Sequence, residues 1–433
     1  MSGTIPPISN EPQSGVWAWY ERTPLYLRIV VALLIGVGVG FLMGPDAQIF
    51  KPLSDIVLRL LGALATPLIF FALLHALLTA KVSGSTGIRM FVLLMANTVV
   101  AILVGLAIAN LVQPGRWVDF DPKALEGEAQ HRIEAAQKKP GPAEDLLGKL
   151  PGSVLKPLVE NDIMAVIVIA LALGIALRKV KREQANEPDP GYLIFEKILD
   201  TLFRTTMVVL HWVFHLVPLA VFGVVARIVG TQGLQPFLAL GFFVIAVVLA
   251  LAIQGCYYLT CLRVGSWVRP GVFLKGASDA LVMAFSTASS AATLPVTFDC
   301  MTKKIGVREE NASMGIMVGG TFNHDGTALY EAMAALFISQ LCGAHLTFSQ
   351  QLLVVLMSVF ASVGAAGIPE AGLVTMVAVF TAVGLDPKYI PLLLTVDWFL
   401  DRCRTAINVM GDMCVTCILD GKQPMTPDEN RLS

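Results

Sequence analysis

Apolar runs at residues 25–43, 53–80, 90–112, 162–177, 193–229 and 235–262 leave this chain few ways to fold. A helix needs about 20 apolar residues to cross a bilayer, and several of these runs exceed that. Of the 433 residues, 55% are hydrophobic and 15% are charged, whereas a soluble domain carries about 25% charged residues. The mean hydropathy is +0.70. The pattern predicts an all-α polytopic membrane protein. The first run is too long for a cleavable signal and is followed by further spans, so it reads as the first transmembrane helix. A net charge of −1 and the lack of a basic block give no reason to expect nucleic acid. The seven cysteines lie in or near apolar segments, which argues against a secreted disulfide scaffold. Cys414 and Cys417 read as packing residues rather than a redox pair.

Downstream the pattern changes. Segments 276–298, 306–342, 350–385 and 387–419 are apolar but interrupted by Gly, Pro, Ser, Thr, Asn and Asp. The stretches Ser286–Pro295 and Ser362–Pro369 cannot simply span. Non-helical backbone at membrane depth is tolerated only in protein or along a cavity, so each predicts a re-entrant hairpin. A pair of interrupted segments is also the best sequence pointer to a carrier's binding site. Lys and Arg cluster at 81–89, 178–182, 263–275 and 303–308. These clusters alternate correctly if both termini are cytoplasmic, which places the polar 113–161 loop outside.

The run Asp397–Asp412 carries charges within this apolar context. At 100° per residue, Asp397, Asp401, Arg404, Asn408 and Asp412 share a sector of about 80°. Arg402 points away. Each charge would cost about 2.5–3.5 kcal/mol at the bilayer centre, so this face must meet a cavity or a polar ligand. A third polar island, Asn323-His324-Asp325-Gly326-Thr327, suggests a helix unwound near Gly326, with oxygen ligands for hard cations. Buried acids outnumber Arg404 there. The surplus calls for bound cations, protonation or a substrate ammonium, which predicts ion-coupled transport. A purely structural ion-pair network would be a costly scaffold.

The motifs SSAATLPVT (289–297), NHDGTALYEAMAALFISQ (323–340), SVGAAGIPEAGLVTM (362–376) and VDWFLDRCRTAINVMGD (396–412) resemble those of the glutamate transporter family, the dicarboxylate/amino acid:cation symporters. The resemblance runs from the first span to about Leu419. It implies eight transmembrane helices plus two re-entrant helical hairpins, with inverted repeats. In that arrangement 1–22 is a cytoplasmic tail, and 23–88 and 162–229 are scaffold helices. Residues 89–112 are the third helix of a transport domain that continues over 230–420, 113–161 is an extracellular loop, and 421–433 is a cytoplasmic tail. The implied assembly is a homotrimer in the plasma (inner) membrane, working as an elevator.

By the same resemblance, Asp401 would meet a substrate ammonium, assisted by carbonyls of Ala288 and Ile368. Arg404 would grip the side-chain carboxylate, where its planar fork offers a bidentate match, with Thr327, Thr405 and the Gly372 amide. Asn408 and Ser290, beside Ser289, would hold the α-carboxylate. Asp412 with carbonyls of Gly319, Asn323 and Asn408 resembles one sodium site. Carbonyls of Thr321, Ser362, Val363 and Ala365 resemble another, and Asp325 with Asn323 part of a third, to which Asn97 and Thr98 could lend oxygens.

Several positions depart from the family pattern. His324 replaces the usual methionine, so proton coupling and a satisfied interhelical hydrogen bond are both open. Glu331 stands where proton-cotransporting relatives carry a glutamate. The third span has Leu93-Leu94-Met95-Ala96-Asn97-Thr98, where sodium-dependent relatives carry tyrosines. Glu370 has no derivable role. The coupling ions expected are sodium, protons or both, with no other cofactor. Arg404 favours an acidic substrate, and Asp401 with Thr405 favours an amino acid over a plain C4-dicarboxylate. Glutamate or aspartate is therefore expected, ahead of a C4-dicarboxylate or neutral amino acid symporter. An ion channel would need a continuous polar pore, and an enzyme needs a triad geometry that adjacent His324 and Asp325 cannot supply.

Overall fold

Every apolar run expected to span is helical in the computed structural model, which describes residues 23–79, 84–117, 152–160, 163–184, 190–364 and 371–423. Among these no strand occurs. Helix α1 (Leu25–Met43) passes through a 3-10 segment (Gly44–Phe50) into α2 (Lys51–Thr79), followed by α3 (Gly84–Val112). The short α4 (Lys156–Glu160) precedes α5 (Ile163–Glu183), α6 (Tyr192–Phe214), α7 (Val217–Gln232) and α8 (Gln235–Gly265). Then come α9 (Pro270–Thr287), α10 (Ser290–Asp299), a π-helical turn (Cys300–Ile305), α11 (Glu309–Phe322) and α12 (Asp325–Leu341). The chain closes with α13 (Phe348–Gly364), α14 (Ala371–Ala382) and α15 (Ile390–Leu419).

Helix α8, at 31 residues, is about 46 Å long at 1.5 Å per residue, longer than a hydrocarbon core and so suited to a tilted crossing. By length and composition, residues 25–75, 86–116 and 235–265 can cross a membrane. The run 193–229 differs from expectation, because it divides at His215–Leu216 into α6 and α7, bent by 41°. Pro218 opens α7. Proline lacks an N–H and disfavours helix in the residue before it, so α6 cannot continue straight.

Two packing groups stand out. In the first, α1 lies on α7 and α2 lies on α5 and α6. Contact between α1 and α7 depends on Gly36 and Gly40. A Cβ on Gly40 would stand 2.7 Å from Ala226 O, and one on Gly36 3.0 Å from Phe222 O. This is the small-xxx-small route to close helix approach. In the second group, α3, α8, α9, α11 and α12 pack on one another or on α15. At its centre is α12, whose residues are all buried except Gln340. A helix covered on every side belongs in a core, and this one carries Asp325 and Glu331 there.

Both interrupted segments give paired helices. α9 and α10 pack together across Ala288–Ser289, and α13 packs against α14. The tip of the second pair, including Ala365, Ile368 and Glu370, lies outside the described residues. Cys414 and Cys417 are free and buried, as packing residues should be.

Candidate functional site

The break between α11 and α12 falls at Asn323–His324, not at Gly326 as the sequence suggested. Asn323 adopts φ −107° and ψ 89°, and His324 φ −118° and ψ 51°. Both are non-helical, and helix resumes at Asp325. Gly326 has another purpose. Its N–H donates to Asn408 Oδ1 at 2.8 Å, and a Cβ there would stand 2.8 Å from Arg404 O. Only glycine lets α12 rest on the backbone of α15 at this level.

Arg404 is fully buried. Its Nη1 donates to Asp397 Oδ1 and its Nη2 to Asp401 Oδ1, both at 2.7 Å. The guanidinium carbon sits 4.0 Å over the Tyr330 ring, a cation–π contact from α12. The polar face read from the sequence is therefore real, and its arginine is held between the two acids below it. Around it stand Thr327, Thr405, Asn408 and Gly372. Asn408 Nδ2 lies 3.5 Å from Thr327 Oγ1. Thr405 Oγ1 donates to Asp401 O at 2.8 Å. A Cβ on Gly372 would meet Thr327 Cγ2 at 3.0 Å and Arg404 Nη2 at 3.7 Å, so α14 closes this cluster from the side.

The tip of the first helix pair is built locally. Ala288 takes a left-handed φ of 52° and ends α9. Ser289 caps α10 by accepting from the Ala292 N–H at 3.1 Å, and Ser290 begins that helix, buried. Arg402, on the outer face of α15, donates to Phe285 O at 3.0 Å and to Ser286 O. It thereby ties the rim of this tip to the helix that carries Arg404.

Two further oxygen clusters flank the arginine. In one, Asn323 Nδ2 donates to Asp412 Oδ1 at 2.9 Å and lies 3.3 Å from Asn408 O. Gly319 is beside them, since a Cβ there would come within 2.6 Å of Asp412 Oδ1. Its carbonyl accepts the Asn323 N–H at 2.7 Å. In the other, Asp325 accepts from Thr98 at 2.6 Å and from Tyr258 OH at 2.5 Å. Asn97 is buried next door, with its Oδ1 3.3 Å from Tyr257 OH.

His324 Nδ1 lies 2.9 Å from Ser362 O. A carbonyl only accepts, so the ring donates here. This is the interhelical bond that stood as the alternative to titration. Ser362 and Val363 end α13, while Thr321, partly exposed, bonds its hydroxyl to Met317 O at 3.0 Å. Glu331 is fully buried and accepts from Thr375 Oγ1 of α14. Glu331 joins Asp325, Asp397, Asp401 and Asp412 as a buried carboxylate.

Sequence reasoning missed Tyr258, Tyr330 and Thr375. Tyrosines inside a span usually read as interfacial anchors, and no linear spacing links α8 or α14 to an acid on α12.

The chain is 30% identical to "Excitatory amino acid transporter 1" of Ambystoma tigrinum, over 94% of this chain and 84% of that protein. It is 31% identical to "Excitatory amino acid transporter" of Caenorhabditis elegans, over 94% and 89%. It is also 29% identical to "C4-dicarboxylate transport protein" of Serratia proteamaculans, over 91% of each. A family model described as "Sodium:dicarboxylate symporter family" matches residues 25–422. That match spans every helix described above, and the chain belongs to the sodium:dicarboxylate symporter family.

Proposed function

We propose that this protein is a secondary active symporter that takes up glutamate or aspartate, coupled to sodium, protons or both. The observation that carries the substrate is Arg404 seated beside Asp401 at 2.7 Å. A guanidinium suits a distal carboxylate, and the neighbouring aspartate suits an ammonium. A plain dicarboxylate has no ammonium to offer Asp401. The likeness to a C4-dicarboxylate transport protein keeps succinate-type substrates as the second reading.

The Asp412–Asn323 and Asp325–Thr98 clusters are the cation sites in this proposal, together with the carbonyls at the end of α13. Glu331 is the candidate proton carrier. The proposed topology has eight spans and two re-entrant pairs, 270–299 and 348–382. The packing groups support an elevator in which α1, α2, α5, α6 and α7 form a trimeric scaffold, and α3 with everything from α8 onward moves. Both termini are cytoplasmic in this arrangement, and the membrane is the plasma (inner) membrane.

The test is uptake into proteoliposomes. Labelled aspartate should accumulate under an inward sodium or proton gradient, and unlabelled glutamate should compete better than succinate. Arg404→Cys should lower acidic amino acid uptake on the order of 100-fold, since two charge-assisted bonds are lost, and should admit neutral amino acids. Uptake indifferent to both gradients, or unchanged acid selectivity in the variant, would overturn the reading.

A further inference from the structure

Arg402 does more than tie the rim of the α9–α10 tip to α15. Its guanidinium carbon sits 4.6 Å over the ring of Tyr26, which belongs to the first turn of α1. The same ring stacks on Trp398, with centroids 6.2 Å apart and planes at 27°. Trp398 and Arg402 are four residues apart on α15, so they share one face of it. The Tyr26 ring thus meets an indole and a cation from the other packing group. We infer that Tyr26, Trp398 and Arg402 form a clasp that holds the moving group at the cytoplasmic end of its travel. The inference rests on the topology and the elevator of the proposed function.

The register of the two groups supports it. In that topology the first turn of α1 is cytoplasmic, because the loop charges place the N-terminus there. It nevertheless meets Arg402 near the middle of α15, a helix of 30 residues, two positions from Arg404. A second contact between the groups has the same offset. Phe322 ends α11 beside the break at Asn323. It lines a cavity of about 580 Å³ together with Leu77 and Arg182, which come from the last turns of α2 and α5. Those turns are cytoplasmic in the same topology. Two separate contacts therefore set the Arg404 site level with the inner ends of the scaffold helices. A cation–π contact reaches about 6 Å, and one helical turn is about 5.4 Å. Sliding α15 along α1 by a single turn parts Arg402 from Tyr26. Arg402 then keeps its bonds to Phe285 O and Ser286 O but loses the ring, and a charge turned toward lipid is costly. The contact belongs to this position and favours it.

The test reads position directly. p-Acetylphenylalanine at Met43, on the far end of α1, and at Phe348, at the start of α13, accepts ketone-reactive spin labels and leaves the native cysteines alone. Both positions are exposed. Electron–electron resonance on protein in lipid nanodiscs should give two distances, the more populated one matching the Met43–Phe348 separation of this structure. Tyr26→Leu should lower the ratio of clasped to unclasped protein about five-fold, the size of one partly exposed cation–π contact. Trp398→Leu should lower it too, and carries the comparison if Tyr26→Leu is unstable. Tyr26→Phe, which keeps the ring, should match the wild type. Thermal midpoints within about 2 °C of the wild type would show that each variant is folded. Two distances whose ratio ignores the loss of the Tyr26 ring would overturn the clasp and leave the elevator standing. So would a fall in Tyr26→Phe as large as in Tyr26→Leu. A single distance in every variant, with gradient-driven uptake intact, would overturn the elevator itself and the clasp with it.

Discussion

Tyr258 donates to Asp325 at 2.5 Å from a different helix, and its loss exposes what that aspartate is for. Tyr258→Phe leaves a buried carboxylate oxygen without its donor, at a cost of about 1–3 kcal/mol. If Asp325 helps to hold sodium, the ion answers the same oxygen. The variant should then unfold at a lower temperature than wild type in sodium-free buffer, and the gap should narrow in saturating sodium, as linkage requires. A gap that is equal in both buffers would remove Asp325 from the cation sites. At this scale the sequence was readable where chemistry repeats along one helix. Asp397, Asp401, Arg404 and Asn408 were placed together by 100° steps, and all four are buried. Tyr330 under Arg404 and Thr375 on Glu331 were not readable, because each partner arrives from another helix at a separation no local pattern encodes.

At the level of elements, the helices followed from apolar run length, and the breaks followed less well. The island 323–327 did mark an interruption, but a glycine was a poor guide to where it falls. Gly326 is helical and needed for approach, while Asn323 and His324 take the non-helical conformations. At the bend between α6 and α7 the signal was Pro218, which the apolar length of the run 193–229 does not register. A pair of variants tests the approach. Gly326→Ala would drive a Cβ to within 2.8 Å of Arg404 O, forcing α12 away from α15 at a cost of about 1–3 kcal/mol. It should lower both the melting temperature and aspartate uptake. Gly241→Ala, on α8 with open space around it, should be neutral or gain up to about 1 kcal/mol from helix propensity. If Gly326→Ala melted with the wild type, the contact would not constrain the site.

For the whole molecule, the middle of α6 poses a question that one chain does not answer. Arg204 and Asp200 pair at 2.8 Å with Arg204 largely exposed, halfway along a helix of 23 residues. Facing lipid at mid-depth, each charge would cost about 2.5–3.5 kcal/mol. A neighbouring protomer would remove that cost, which agrees with the proposed trimer. Native mass spectrometry from mild detergent should give three times 46.4 kDa, and a monomer at all concentrations would sink that part of the proposal. The fork of Arg404 on Asp397 and Asp401 also bears on how a carrier of this kind discriminates. A guanidinium satisfied on both prongs exerts little pull on chloride or bicarbonate wandering in from solution. In the proposed site an incoming carboxylate would evict a resident one, and the evicted aspartate would then need a new cation of its own. Zwitterions bring that cation with them, whereas simple anions do not. Recognition in that proposal would be a swap of partners on one guanidinium.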